Sequence, residues 1–309
     1  MSTLQLLPKN SAEYLSGSVK IDGKEYLKSN NNISEVRGRK ISMIFQEPMT
    51  SLNPLHTIKK QISEAISLYQ KLPKKELLDN VENLLELVGL KEIIKRINSY
   101  PHELSGGQRQ RVMIAIAISN NPSLLIADEP TTALDVTIQK QILELLKHLQ
   151  NRIGMSILLI THDLSIVKKF ANNICVMRNG LILEKGDVTK IFLKPTHEYT
   201  KTLINSELKK RIKKNRPKEN ILLNLSNLSV NYSLKKGLFR KNINSLNAVN
   251  KISFDLLEGE TLGVVGESGS GKTSLALAIL KLVSSTGSIF FDHQDIHKIN
   301  TKKLRDLRK

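Results

Sequence analysis

The sequence predicts an α/β protein with a mostly parallel sheet covered by helices. Short apolar runs bounded by turn residues, Ser123 to Ala127, Ser156 to Ile160 and Thr261 to Val265, read as buried strands. Between the first two, Ile138, Ile142, Leu145, Leu146 and Leu149 fall on one face at helical spacing. Strands that alternate with helices in this way favour a parallel arrangement.

The remaining elements follow in order. Ile21 to Leu27 and Leu225 to Leu257 read as shorter antiparallel strands. Leu104-Ser105-Gly106-Gly107-Gln108 leads into an apolar helix from Arg111 to Ser119, with Ser105 placed to cap it and two glycines exposing N–H groups at its start. A further helix is expected from Thr273 to about Leu282.

Composition narrows the class. The 309 residues include one cysteine, which excludes a disulfide framework and any cysteine-based zinc or iron–sulfur site. Hydrophobic residues make up 40% and charged residues 25%, so wholesale disorder is not expected. The longest apolar runs, such as Leu124 to Ala127 and Ile157 to Ile160, are too short to span a bilayer. No basic region followed by an apolar stretch opens the sequence, so a secretory signal is not expected. The net charge of +18 admits a nucleic-acid or anionic-membrane partner, or a plain coding bias. Seven basic residues crowd into the ten from Lys209 to Lys218, with no aromatic residue to stack on bases. That stretch reads as a tether, and no nucleic acid is expected as partner.

The two sides of the tether repeat each other. Gly17-Ser18-Val19-Lys20-Ile21-Asp22 is echoed by Gly287-Ser288-Ile289-Phe290-Phe291-Asp292, at an offset of 270. Leu4-Gln5-Leu6-Leu7 is echoed by Leu280-Lys281-Leu282-Val283, at an offset of 276. Glu35 to Arg39 is echoed by Asp306 to Lys309. Two copies of one domain type, each incomplete, are expected.

Four groups of residues carry chemistry. Gly266-Glu267-Ser268-Gly269-Ser270-Gly271-Lys272-Thr273 fits the phosphate-loop pattern, between an expected strand and an expected helix. Its glycines let N–H groups close around phosphate oxygens, Lys272 neutralises β- and γ-phosphate charge, and the Thr273 hydroxyl is a magnesium ligand. Leu124 to Glu129 is an apolar strand ending in two carboxylates, either a magnesium ligand and a general base or a solvated acidic turn. Ser105 to Gln108 is a second anion site or an ordinary capped helix. His162, after a strand ending at Ile160, points into a ligand crevice or is structural.

Taken in order, Gln46, Leu104 to Gln108, Asp128-Glu129, Thr131 to Asp135 and His162 resemble the ATP-binding-cassette (ABC) ATPases, over essentially the whole chain. The resemblance implies a P-loop NTPase fold, with a RecA-like parallel-sheet core, an antiparallel β subdomain and an α-helical signature subdomain. It implies that Gln46 is the Q-loop, Ser105, Gly106, Gly107 and Gln108 the signature, Asp128 the magnesium carboxylate and Glu129 the base. Asp135 matches the D-loop and His162 the γ-phosphate switch. Tyr232 is similar to the aromatic residue that stacks on adenine, and Ser274 joins Gly266 to Thr273 in the nucleotide site. Thr273, Asp128 and Gln46 are the implied magnesium ligands, and ATP and Mg²⁺ the implied ligands.

Phe45 to Pro54, Tyr100 to Ser105 and Pro195 to Thr200 resemble the oligopeptide, dipeptide and nickel importer subfamily, with Glu198 standing where that subfamily has proline. The implied function is ATP hydrolysis powering import of peptides or related small solutes. The implied place is peripheral, on the cytoplasmic face of the inner membrane. The implied partners are membrane-spanning permease subunits, a second cassette and, indirectly, a solute-binding protein.

The expected domains are 1–205, a first cassette lacking its phosphate loop; 206–220, a basic linker; and 221–309, the N-terminal part of a second cassette. The chain thus reads as a fragment of a fused two-cassette ATPase. In the family, each site pairs one cassette's phosphate loop with the other's signature. Residues 221–283 are candidates to fill the first cassette's vacant phosphate-loop place, although the repeated strands would compete for one slot. Two other readings stay open: a soluble ABC ATPase acting on ribosomes or nucleic acid, and a non-hydrolysing remnant.

Overall fold

The computed structural model describes all residues except 8, 9, 11, 12, 15, 28–31, 47–50, 133, 208–219, 237–240, 268 and 309. The expectations for Glu47 to Thr50, the basic run from Lys209 and Ser268 fall on residues outside that description. The chain divides into two compact units, Met1–Lys209 and Lys210–Lys309.

In the first unit, β3 (Ile41–Ile44), β4 (Leu124–Asp128) and β5 (Ser156–Ile160) form a parallel sheet in that order. Two of the three expected strands are thus present and pair in register, Leu124 with Ser156 through Asp128 with Ile160; β4 is buried as expected, whereas β5 leaves Leu158 and Ile160 exposed. The sheet is preceded by a small antiparallel ladder, β1 (Lys20–Ile21) with β2 (Lys24–Glu25).

Helices cover this sheet because their apolar residues recur on one face. α1 (Ile58–Ser67) buries Ile58, Ile62 and Ile66, and the Thr57 side chain caps its start by accepting from the Lys60 N–H. α2 (Lys74–Leu87) buries Val81 and Leu85, and α3 (Lys91–Ile94) buries Ile93. α4 (Gly106–Ile118) is apolar nearly all round and buries Val112 to Ala115. α5 (Val136–Ile153) buries Ile142, Leu146 and Leu149, three residues of the predicted face, and ends at Gly154 with φ 75°. These residues join Leu125 and Ile44 of the sheet in one core.

After β5 come α6 (Leu164–Phe170) and a hairpin of β6 (Asn173–Arg178) and β7 (Leu181–Asp187). Then α7 (Val188–Leu193) and α8 (Glu198–Glu207) close the unit.

The second unit is built on β8 (Ile221–Lys236) and β9 (Lys241–Leu257), two long antiparallel strands where shorter ones were expected. Its sheet runs β11–β10–β8–β9, with β10 spanning Thr286–Phe291 and β11 spanning Gln294–Asp295. α9 (Lys272–Ile279) packs Leu275 and Ala278 into the core that this sheet forms. α10 (Thr301–Leu307) follows β11.

The expected strand at Thr261 to Val265 does not form. Leu262, Val264 and Val265 are instead exposed, Val265 by 92%. A strand needs a neighbour to take its N–H and C=O groups. The ladders among the described residues pair other segments and leave this one without a partner strand.

The repeat is carried into structure. The Tyr26 N–H donates to the Val19 carbonyl at 2.8 Å, and the Ile296 N–H to the Ile289 carbonyl at 2.9 Å. Gln5 Nε2 donates to the Tyr26 carbonyl at 2.8 Å, and Lys281 Nζ to the Ile296 carbonyl at 3.1 Å. Gln5 and Lys281 both stand at φ 51°.

Candidate nucleotide and hydrolytic sites

Parallel strands present their carboxyl ends along one edge, where ligands bind in open α/β sheets. β3, β4 and β5 end there in three polar side chains that meet. Gln46 Nε2 donates to Glu129 Oε2 at 3.0 Å, and His162 Nδ1 lies 2.9 Å from Glu129 Oε1. The Thr132 hydroxyl donates to Glu129 Oε2 at 2.7 Å. Both carboxylate oxygens are therefore occupied.

The backbone that aims Glu129 is unusual. Glu129 stands at φ 44°, a left-handed conformation that costs a side-chain-bearing residue about 1–2 kcal/mol. Its N–H donates to the Ile160 carbonyl at 2.9 Å, which ties the turn to the end of β5. The His162 contact, with the Thr132 hydroxyl second, holds the Glu129 carboxyl below the usual carboxylate range. The Glu129 carboxylate in turn raises the His162 imidazole.

The other expected residues of the first unit surround this trio or lie apart from it. Asp128 ends β4, half-buried, directly before Glu129. Asp135 caps α5, its Oδ1 accepting from the Ile138 N–H at 2.9 Å. Ser105 caps α4 as expected, and Gln108 completes a reciprocal box with it: each side chain accepts from the other residue's N–H. Gln108 Nε2 also donates to Glu92 Oε1 at 3.2 Å. A Cβ on Gly107 would come within 2.9 Å of the Ile138 side chain, so glycine lets α4 begin close beneath α5.

In the second unit the phosphate-loop residues gather at the start of α9. Lys272 Nζ donates to the carbonyls of Gly266 at 2.8 Å and Glu267 at 2.6 Å, and to Ser270 Oγ at 3.2 Å. Gly271 stands at φ 92°, and a Cβ there would lie 2.1 Å from the Ala248 carbonyl oxygen of β9. Only glycine closes this loop against the sheet. Gly269, also left-handed at φ 82°, and Thr273 are exposed. The Tyr232 hydroxyl on β8 donates to Ser274 Oγ at 3.3 Å, and its ring packs partly buried against the core of this unit.

Two participants escaped the sequence reading. Thr132 was legible only as part of the stretch from Thr131 to Asp135. Glu184 on β7 accepts from the N–H groups of Thr196 at 2.8 Å and His197 at 3.1 Å, and from Thr196 Oγ1 at 2.9 Å. These hydrogen bonds, the Thr196 N–H foremost, pull the Glu184 carboxyl down to about 2. Arg178 of β6 lies over the Tyr199 ring at 4.7 Å. The stretch from Pro195 to Thr200 is thus the clasp that fastens α8 to the β6–β7 hairpin.

The phosphate-loop pattern at a helix start in the second unit, and a carboxylate held between glutamine and histidine at the ends of parallel strands in the first, are each features of nucleotide-binding cassettes. The chain belongs to the ABC transporter family, whose model matches residues 2–132 and 249–309.

It is 47% identical over 309 residues to the uncharacterized ABC transporter ATP-binding protein YejF of Escherichia coli, covering 100% of this chain and 58% of that protein. It is 49% identical over 308 residues to the peptidoglycan transport ATP-binding protein YejF of Agrobacterium fabrum, covering 99% and 56%. The glutathione import ATP-binding protein GsiA of Salmonella choleraesuis is 43% identical, with 91% of this chain and 49% of that protein covered. The chain therefore spans about half the length of the curated relatives it matches. Among solved structures, cbiO1 from Clostridium perfringens, part of the ABC transporter complex cbiONQ, matches at 30% identity with a TM-score of 0.52, covering 58% of this chain and 69% of that one. A dimeric post-hydrolysis ATP-binding cassette bound to ADP and Pi matches at 29% identity and a TM-score of 0.50, covering 56% and 74%.

Proposed function

We propose that this chain is ATP-binding machinery of an ABC importer for peptides or related small solutes, with Glu129 as the base that activates water for ATP hydrolysis. The Glu129 carboxylate between Gln46 and His162 carries this reading. A general base must be ionised and aimed, and the contacts to Glu129 favour both. His162 holds the carboxylate from one side and Gln46 from the other, at the edge where the strands end. Lys272 and the N–H groups at the start of α9 supply the positive field that triphosphate oxygens require.

In the first unit Asp128 and Gln46 offer a carboxylate and an amide oxygen, and in the second unit Thr273 offers a hydroxyl, each the kind of hard oxygen donor that Mg²⁺ prefers. No cluster of three or more His, Cys, Asp or Glu occurs among the described residues. When bound, Mg²⁺ neutralises charge developing on the β- and γ-phosphates.

We take residues 1–205 as cassette sequence without a phosphate loop, 206–220 as linker and 221–309 as the start of a second cassette, a division supported by the repeat. The names of the relatives support import, with permease subunits and a second cassette as partners and the cytoplasmic membrane face as the place of work. No helix among the described residues is long and apolar enough to cross a membrane. The test is ATP turnover in the assembled transporter: Glu129→Gln slows it roughly 10²-fold or more while ATP binding persists. Unchanged turnover would remove Glu129 as the base.

A further inference from the structure

We infer that Thr132 is the positioning residue of Glu129, turning the carboxylate so that Oε1 faces His162. The inference rests on the reading of Glu129 as base and adds the group that aims it.

The Glu129 backbone is pinned at two points. Its N–H donates to the Ile160 carbonyl at 2.9 Å, and its carbonyl accepts from the Thr132 N–H at 3.1 Å. With φ at 44° these bonds fix where the side chain departs, but not how the carboxylate is rotated. The Thr132 hydroxyl, 2.7 Å from Oε2, supplies that last constraint. Gln46 approaches the same oxygen at 3.0 Å, so Oε1 is left to His162.

Thr132 is itself well anchored. Thr131 beside it is 8% exposed, and the Leu134 N–H donates to the Thr131 carbonyl at 3.3 Å. Two residues on, α5 begins under the Asp135 cap. Gln46, by contrast, is exposed and follows the end of β3. The rigid constraint on Oε2 is therefore the threonine.

The test follows the His162 imidazole by NMR titration of the labelled full chain, with His162→Gln to assign its signal. Glu129 and Asp163 are the charges that act on His162, and neither is changed in the variants. Thr132→Val, or Thr132→Ala where valine fails to fold, releases the carboxylate and moves the His162 midpoint down toward its ordinary 6.5. Thr132→Ser keeps the hydroxyl and keeps the midpoint high. An unmoved midpoint in the valine and alanine variants overturns the inference, and so does an equal fall in the serine variant. Failure of the base assignment looks different: Glu129→Gln would leave ATP turnover unchanged whatever Thr132 does to His162.

Discussion

Arg37 and Arg308 make the same pair of hydrogen bonds in the two units. Arg37 donates from Nε to the Leu4 carbonyl at 2.7 Å and from Nη2 to the Gln5 carbonyl at 2.6 Å. Arg308 donates from Nε to the Leu280 carbonyl and from Nη2 to the Lys281 carbonyl, both at 2.9 Å. The planar fork reads two successive carbonyls at a left-handed bend, a geometry lysine cannot copy. Arg37→Ala should lower the stability of the first unit by about 2 kcal/mol, the range for charge-assisted bonds at a half-buried site. Arg308, being exposed, should matter less. Urea unfolding of each variant checks both, and Arg37→Lys should not restore the loss.

The Glu129–His162 pair predicts a window in pH. The imidazole is raised by the carboxylate, so its contribution is present below its ordinary 6.5 and is lost as pH rises through the higher folded value. The carboxylate is lowered by the imidazole, so its contribution is present above its ordinary 4.5 and is lost as pH falls. The pair is therefore intact from below pH 4.5 to above pH 6.5. Glu129→Gln should drop the His162 midpoint to the ordinary range, read by NMR.

Glu184 predicts an acid-labile clasp. Its carboxyl is drawn down to about 2 by the Thr196 and His197 N–H groups, so its contribution is lost between pH 4.5 and about 2. Amide hydrogen exchange over Glu198–Glu207, taken relative to the intrinsic rate at each pH, should quicken at pH 3 compared with pH 7. Glu184→Gln should show the quicker exchange already at neutral pH. Equal protection in both proteins would mean that α8 is held by other contacts.

Gly271→Ala tests the closure of the phosphate loop. The added Cβ meets the Ala248 carbonyl at 2.1 Å and the backbone stands at φ 92°, so strain and clash act together. A loss of about 2 kcal/mol or more in the second unit is expected, with weakened binding of a fluorescent ATP analogue. Gly263→Ala, where a Cβ meets nothing within 4 Å, is the control.

Periodicity and apolar runs were enough to locate β4, β5 and α5, because each is dictated by side chains within its own stretch. Ser105 was legible as a cap for the same reason. Thr261 to Val265 read equally well as a strand, yet a strand is a relation between two segments, and its sequence states only one of them. Glu129 and His162 were legible as strand-end residues, but their contact depends on β4 and β5 being neighbours in register. Thr132 was hidden because a threonine three residues beyond a carboxylate is common in turns. Only the left-handed backbone at Glu129 turns that spacing into a hydrogen bond.

That same torsion concentrates a local strain at one position. At φ 44°, residue 129 is where a glycine would relax the backbone by about 1 kcal/mol. The hydrogen bonds of the Glu129 carboxylate to Gln46, Thr132 and His162 offset that cost. The side chain proposed as the base is thus held on a standing conformational strain that its own hydrogen bonds counter, so the turn and the carboxylate stand or fall together.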